Sequence, residues 1–136
     1  MRSCQERAMV TVWAGTGPSM VRRRRWCPCT VRSDTGNVAT RSVAAATAAL
    51  ADAGLDAEKV DLVITASISP DQIMPATAAR VAYGCGCVHA GAFDVSAGCA
   101  GFVYALAMAA GAVACGLHDN VLVVGAEAIS RVIDWQ

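Results

Sequence analysis

A chain of 136 residues is long enough for one domain with a real core, and its formal charge of zero gives it no overall pull toward nucleic acid. Apolar residues make up 55% of it but aromatics only 5%, with alanine prominent, which favours close helix–sheet packing over a core of large rings. Seven cysteines, an odd number, in a sequence without a secretory h-region argue against a disulfide framework and against export, and point to the cytoplasm.

The charge is unevenly placed. Residues 1–32 hold seven arginines and one glutamate, +6, whereas residues 33–136 hold four basic and ten acidic side chains, −6. The run Arg22–Arg25 with Trp26, Cys27, Pro28 and Cys29 reads as solvated surface rather than as a nucleic-acid site. Residues 1–36 show no helical or strand period, so an atypical basic segment, poorly ordered, is expected ahead of a patterned domain over residues 37–136.

From Asn37 the pattern is legible. Asn37 suits an N-cap, and Val43, Ala46, Leu50 and Ala53 recur at helical spacing. Gly54 fits the C′ position of that helix, with Leu55 placed for the apolar contact that follows. Asp61 to Ser67 reads as a parallel strand covered on both faces. Pro70 and Pro75 bracket a loop, Pro75 suits the first turn of the next helix, and that helix should run to about Tyr83 and end at Gly84. A brief strand near Ala92–Val95 leads to a helix from about Cys99 to Cys115, stopped by Gly116, and Val121–Ala126 returns as a strand. Strands alternating with helices in this way predict an α/β fold of βαβ units on one sheet.

Residues 95–117 carry no charge and match a bilayer in length. They are dominated by Ala and Gly rather than Leu and Ile, so the reading is a helix buried all round in a protein, with no membrane partner. Two Cys-x-Cys pairs, Cys27/Cys29 and Cys85/Cys87, are too tightly spaced for the usual structural zinc site and are read as incidental thiols, with no metal. Gly15-x-Gly17 and Gly84-x-Gly86 lack the third glycine of a dinucleotide fingerprint, and no cofactor is expected. His89 and His118 are the only histidines. The first falls in a predicted surface loop. The second lies a full helix length from Cys99, too far to serve as its base.

The most informative stretch is Asp94-Val95-Ser96-Ala97-Gly98-Cys99-Ala100-Gly101-Phe102. It sets one cysteine among small residues at the start of a long apolar helix. Unpaired N–H groups and the positive end of the helix dipole at such a position favour thiolate, the nucleophilic form. Ala97, Gly98, Ala100 and Gly101 leave room for a carbonyl to reach the sulfur. Cys99 is therefore the candidate nucleophile, the alternative being a small packed side chain.

This segment resembles the active-site region of β-ketoacyl-acyl-carrier-protein synthase III, a condensing enzyme of the thiolase superfamily. Asp61-Leu62-Val63-Ile64-Thr65-Ala66-Ser67, Ser69-Pro70-Asp71 and Met74-Pro75-Ala76-Thr77-Ala78 are similar to that family's second strand and the loop and helix after it. Phe93-Asp94-Val95 is similar to the strand that leads to the nucleophile. Val121-Leu122-Val123-Val124-Gly125-Ala126-Glu127, with Ser130 and Asp134-Trp135, is similar to the next strand and its loop. The blocks run in the family's order from about Asn37 onward.

The resemblance implies one half of a duplicated thiolase-like α/β fold, with a mostly parallel sheet and a buried nucleophile helix. It implies that Cys99 takes an acyl group from acyl-CoA and that malonyl-acyl-carrier protein then condenses with it, to start fatty-acid synthesis. Gly101 and Phe102 would border the substrate, and Met74 would reach across a homodimer to shape the partner's acyl pocket. The family's histidine and asparagine, and a glycine loop, belong to a second half beyond Trp135, so the chain looks truncated. Two other outcomes stay open: an inactive fragment able only to self-acylate or to associate with a partner subunit, and a polyketide starter acyltransferase of the same superfamily.

Overall fold

The computed structural model describes residues 8–14 and 25–27 as backbone, and residues 37–129 in full. The first long helix, α1 (Val38–Ala53), begins where its four leading N–H groups find acceptors. Asn37 Oδ1 accepts from Thr40 N–H at 2.8 Å, and the Asn37 carbonyl accepts from Arg41 N–H at 3.2 Å. The Asp71 carboxylate, brought in from a distant loop, accepts from Val38 and Ala39 at 2.9 and 3.0 Å. Gly54, at φ +62°, closes the helix, and Leu55 N–H returns to Leu50 O at 3.1 Å, the αL cap that the sequence predicts. Ala45, Ala46, Ala49 and Leu50 form the buried stripe.

Strand β3 (Leu62–Ala66) follows, and then α2 (Thr77–Cys85), β4 (Gly91–Val95), α3 (Gly101–Ala114) and β5 (Asn120–Ala126). Strand β3 lies at the centre of this unit, parallel to β4 on one side and to β5 on the other. Side chains alternate across the sheet. Val63, Leu122, Val124 and Ala126 pack beneath α1 and α2, while Leu62, Ile64, Val121 and Val123 meet Ala105 and Ala109 of α3 on the opposite face. The expected α/β architecture is what the chain adopts, with three α-helices among the described residues and a sheet in which β5, β3 and β4 run parallel.

Several local expectations need correction. Two strands, β1 (Ala8–Ala14) and β2 (Arg25–Cys27), fall within residues 1–36, where no element was expected. Strand β1 pairs antiparallel with β5 along its whole length, and β2 pairs antiparallel with β1, giving the order β2-β1-β5-β3-β4. Val10-Thr11-Val12-Trp13 is strand-prone, but arginine- and cysteine-rich neighbours hide the signal. The remainder of residues 1–36, including Arg22–Arg24, Pro28 and Cys29, lies outside the described residues.

Gly84 does not end α2. The helix runs on to Cys85, and Gly86 at φ +80° takes the left-handed closing position. Gly84 instead marks a close approach of α2 to α1, since a Cβ on it would stand 2.6 Å from Val43 Cγ2. Pro75 also lies outside α2, ahead of the N-cap Ala76, and the Met74–Pro75 peptide is cis. Helix α3 buries only one face among the described residues. Gly101, Ala105 and Ala109 are covered, whereas Val103, Tyr104 and Met108 on the other side are about half exposed or more. One sheet can cover only one face of a helix, and the described residues supply one sheet. No helix among them is long and apolar enough to cross a membrane.

Candidate active site

The first residue to place is Asp94, in β4. Its carboxylate accepts from Thr77 N–H and Ala78 N–H, both at 2.7 Å, and so caps α2, whose own N-cap Ala76 has no side-chain acceptor. The strand that leads toward Cys99 is thereby tied to the helix packed beneath it. Beyond Val95 the chain passes through Ala97 into the short 3-10 turn Gly98–Ala100. Gly98 has φ +56°, a conformation that disfavours any side chain although there is space for one. Gly101 N–H bonds to Gly98 O and hands the chain to α3. Cys99 therefore stands in the turn just ahead of the helix, not within its first turn, and it is exposed.

Beside it lies a cavity of about 180 Å³ lined by Ala66, Gly98, Cys99, Phe102, Gly125, Ala126 and Glu127. Ala66 ends β3 and Ala126 ends β5, so the cavity opens at the carboxyl ends of parallel strands, where open α/β sheets hold ligands. The Phe102 ring stands over Gly125, since a Cβ there would lie 2.8 Å from Phe102 Cδ2. Gly101 does not line the cavity. It is buried beneath it, where a Cβ would meet Ala66 Cβ at 3.4 Å and the Val95 carbonyl at 3.8 Å.

The structure thus brings Cys99 and Phe102 together and places Gly101 as the close contact that seats α3. Met74 is 84% exposed in the loop before α2 and is not among the residues around the cavity. Neither His89 nor His118 lines it. Ser130, Asp134 and Trp135 lie outside the described residues.

The other thiols differ from Cys99 in their surroundings. Burial pushes the Cys85 thiol up, against the Thr47 hydroxyl that donates to its sulfur at 3.7 Å. Burial, with Cys85 beside it, pushes Cys87 up to about 11. Both therefore stay protonated at neutral pH and are poor nucleophiles. Cys115 is exposed but lies past the far end of α3 and borders no part of this cavity. No group of three or more metal-ligating side chains occurs among the described residues.

Ser67, Ser69 and Glu127, which carry no predicted role from the sequence, meet beside this cavity. Glu127 accepts from Ile68 N–H at 2.9 Å and from the Ser69 hydroxyl at 2.6 Å, and Ser69 Oγ accepts from Ala128 N–H at 2.7 Å. A signal was present: hydroxyl and carboxylate residues that immediately follow two neighbouring apolar strands must meet at one end of the sheet.

A parallel α/β unit with a cysteine in the turn between β4 and α3, facing a cavity at the strand ends, matches part of the thiolase-like fold. Comparison with known proteins agrees. The sequence profile of 3-oxoacyl-[acyl-carrier-protein] synthase III matches residues 93–136. A β-ketoacyl-[acyl-carrier-protein] synthase III of Rhodospirillum centenum is 48% identical over 105 residues, covering 77% of this chain and 32% of that protein. Among solved structures, 3-oxoacyl-[acyl-carrier-protein] synthase III from Aquifex aeolicus superposes with a TM-score of 0.74 at 28% identity, covering 96% of this chain and 47% of that one. A priming β-ketosynthase from a polyketide biosynthetic pathway superposes with a TM-score of 0.73 at 28% identity, covering 98% and 46%. The chain is a homologue of the β-ketoacyl-acyl-carrier-protein synthase III enzymes, in the thiolase superfamily. It spans about a third of the length of the curated relatives it matches.

Proposed function

We propose that this chain is the acyl-accepting part of a β-ketoacyl-acyl-carrier-protein synthase III type acyltransferase, with Cys99 as the nucleophile. The observation that carries the reading is the exposed Cys99 sulfur at a cavity walled by Phe102, Gly125 and Ala126, in a turn of small residues. The sulfur attacks the thioester carbonyl of an acyl-CoA, the bond from that carbonyl to the coenzyme A sulfur breaks, and coenzyme A leaves with the proton that Cys99 gives up. The N–H of Cys99 is the proposed donor to the oxygen on which charge develops. Malonyl-acyl-carrier protein is the proposed second substrate. It loses carbon dioxide, its carbanion attacks the carbonyl of the acyl group held on Cys99, and the bond from that carbonyl to the Cys99 sulfur breaks, freeing the thiolate and the β-ketoacyl product, so the two substrates react in ping-pong order. Met74 would complete the acyl pocket of a partner in a homodimer.

For the 136-residue chain by itself the proposal is narrower. Covalent capture asks only for a thiolate and one or two N–H donors, whereas condensation needs donors aimed at a developing enolate. Self-acylation without steady condensation is the expected behaviour. A second reading, loading of a polyketide starter, is favoured by the likeness to the priming ketosynthase and involves the same Cys99 chemistry.

The test is incubation with acetyl-CoA followed by peptide mass analysis. Acylation concentrated on Cys99, and abolished by Cys99→Ala, is expected. Acyl groups spread evenly over Cys85, Cys99 and Cys115 would defeat the reading. Adding malonyl-acyl-carrier protein should yield little β-ketoacyl product from this chain alone.

A further inference from the structure

The densest polar arrangement bordering the Cys99 cavity is centred on Glu127, and nothing in the capture chemistry accounts for it. Its Oε1 accepts from Ile68 N–H at 2.9 Å. Its Oε2 accepts from the Ser69 hydroxyl at 2.6 Å and, more weakly, from the Ser67 hydroxyl at 3.4 Å. The two hydroxyls are used a second time as acceptors, Ser69 Oγ from Ala128 N–H at 2.7 Å and Ser67 Oγ from Ser69 N–H at 3.2 Å. Ser67, Ser69 and Ala128 are buried, while Glu127 itself forms part of the cavity wall. Apart from the Ser69 N–H bond to Ser67 Oγ, which braces the loop itself, these links join the chain leaving β3 to the chain leaving β5, the two strands whose ends, Ala66 and Ala126, line the cavity.

An ionised carboxylate only accepts, and it can take several donors at once. Each hydroxyl donates its single proton to Glu127, and the short Ser69 bond fixes that hydroxyl's orientation. The 2.6 Å contact is in the range of charge-assisted O–H···O bonds, which are stronger than neutral ones. A surface carboxylate held only for solubility would not gather two hydroxyls and a backbone N–H from a loop some sixty residues away in sequence.

We propose that Glu127 is a positioning residue for acyl transfer. By clamping the Ser67–Ser69 loop to the end of β5 it fixes the cavity wall against which a thioester is held for attack by Cys99. The proposal rests on Cys99 being the acyl acceptor. Misplacing a reacting group by about 1 Å can cost around a hundredfold in rate, so a looser wall acts on capture without removing any reacting atom.

The experiment compares two probes of Cys99 in the 136-residue chain, acetyl-CoA and iodoacetamide, both followed by peptide mass. Acetyl-CoA must dock its thioester, whereas iodoacetamide needs only an accessible thiolate. Glu127→Gln keeps the size of the side chain but presents an amide N–H₂ to groups that are already donors. It should slow acylation by about tenfold or more while alkylation stays within about twofold and the circular dichroism spectrum is unchanged. Ser69→Ala, which keeps the carboxylate, should act in the same direction. Ser69→Thr, which restores the hydroxyl, should recover most of the rate. If Glu127→Gln fails to fold, the Ser69 pair carries the comparison. Equal acylation of wild type and folded variants, or a parallel fall with both probes, overturns the positioning role alone. Failure of wild-type Cys99 to be acylated above the other thiols overturns the acceptor reading, and the positioning role with it.

Discussion

A Cβ on Gly125 would stand 2.8 Å from Cδ2 of Phe102, closer than two such atoms can approach, so the absence of a side chain in β5 is what seats the aromatic ring of α3. Both residues border the cavity beside Cys99. Gly125→Ala is expected to push the ring aside, lowering stability by about 1–3 kcal/mol through overpacking and changing which thioesters react at Cys99, the proposed acyl acceptor. Phe102→Leu in the same chain should recover much of the loss. Denaturant unfolding together with acylation by short and long acyl-CoA thioesters measures both. Wild-type behaviour of Gly125→Ala on both readouts would show that the ring moves away at no cost.

Gly84 is a second close contact, and there the sign of a substitution is informative. Ala in place of Gly in a helix ordinarily gains about 1 kcal/mol. A Cβ at this position meets Val43 Cγ2 at 2.6 Å, and valine is stiff at χ1, so Gly84→Ala should destabilise instead. In a Val43→Ala background the same change should turn neutral or stabilising. A double-mutant cycle by urea unfolding reads the coupling, and additive effects would mean that α1 and α2 separate easily.

Much of this arrangement was legible from residue order because parallel strands buried on both faces are continuous apolar runs. Leu62-Val63-Ile64 and Val121-Leu122-Val123-Val124 announce themselves for that reason. Asn37 and Gly54 were legible as caps because their partners are a few residues away in the chain. Gly84 looks like a terminator in the sequence because its actual role depends on Val43, in another helix. Strand β1 was missed because its partner, β5, comes at the other end of the sequence and its flanks carry arginines and cysteines. At the candidate site, Cys99 and Phe102 share one short segment, so their nearness is legible in the sequence. The carboxylate–hydroxyl cluster of Glu127, Ser67 and Ser69 forms only when two strand ends are brought side by side.

Asp94 offers a test of how β4 and α2 are joined. Asp94→Ala removes the acceptor for both Thr77 N–H and Ala78 N–H at a partly buried helix start. A loss of about 1–3 kcal/mol is expected, with Asp94→Asn, which keeps one good acceptor, falling between. Thermal unfolding monitored at helix wavelengths measures it. An unchanged midpoint for Asp94→Ala would mean that water replaces the carboxylate.

Cys87 predicts a pH dependence of stability. Its thiol is pushed up to about 11 in the folded chain, against an ordinary value of 9.0, first by burial and then by Cys85. The folded state therefore holds this proton more tightly than the unfolded state does. Its contribution is fully present below about pH 9 and is lost as pH rises toward 11. Unfolding free energies at pH 8 and pH 10.5 should fall further for wild type than for Cys87→Ala. An equal fall in both would place the alkaline loss on other groups.

The antiparallel pairing of β1 with β5 joins Ala8 to Ala126 and Ala14 to Asn120, partners more than one hundred residues apart. Such a contact closes late, because the entropy of a long loop must be met before any ladder bond forms. On a ribosome adding about 5–20 residues each second, β1 emerges several seconds before β5, and among the described residues made in the interval the three of β2 pair with it. Strand β3 likewise waits between β4, made soon after it, and β5. Arrival of β5 joins both sides of the sheet at once. Synthesis stalled before Asn120 would leave two unpaired strand edges, the form of nascent chain that chaperones must shield.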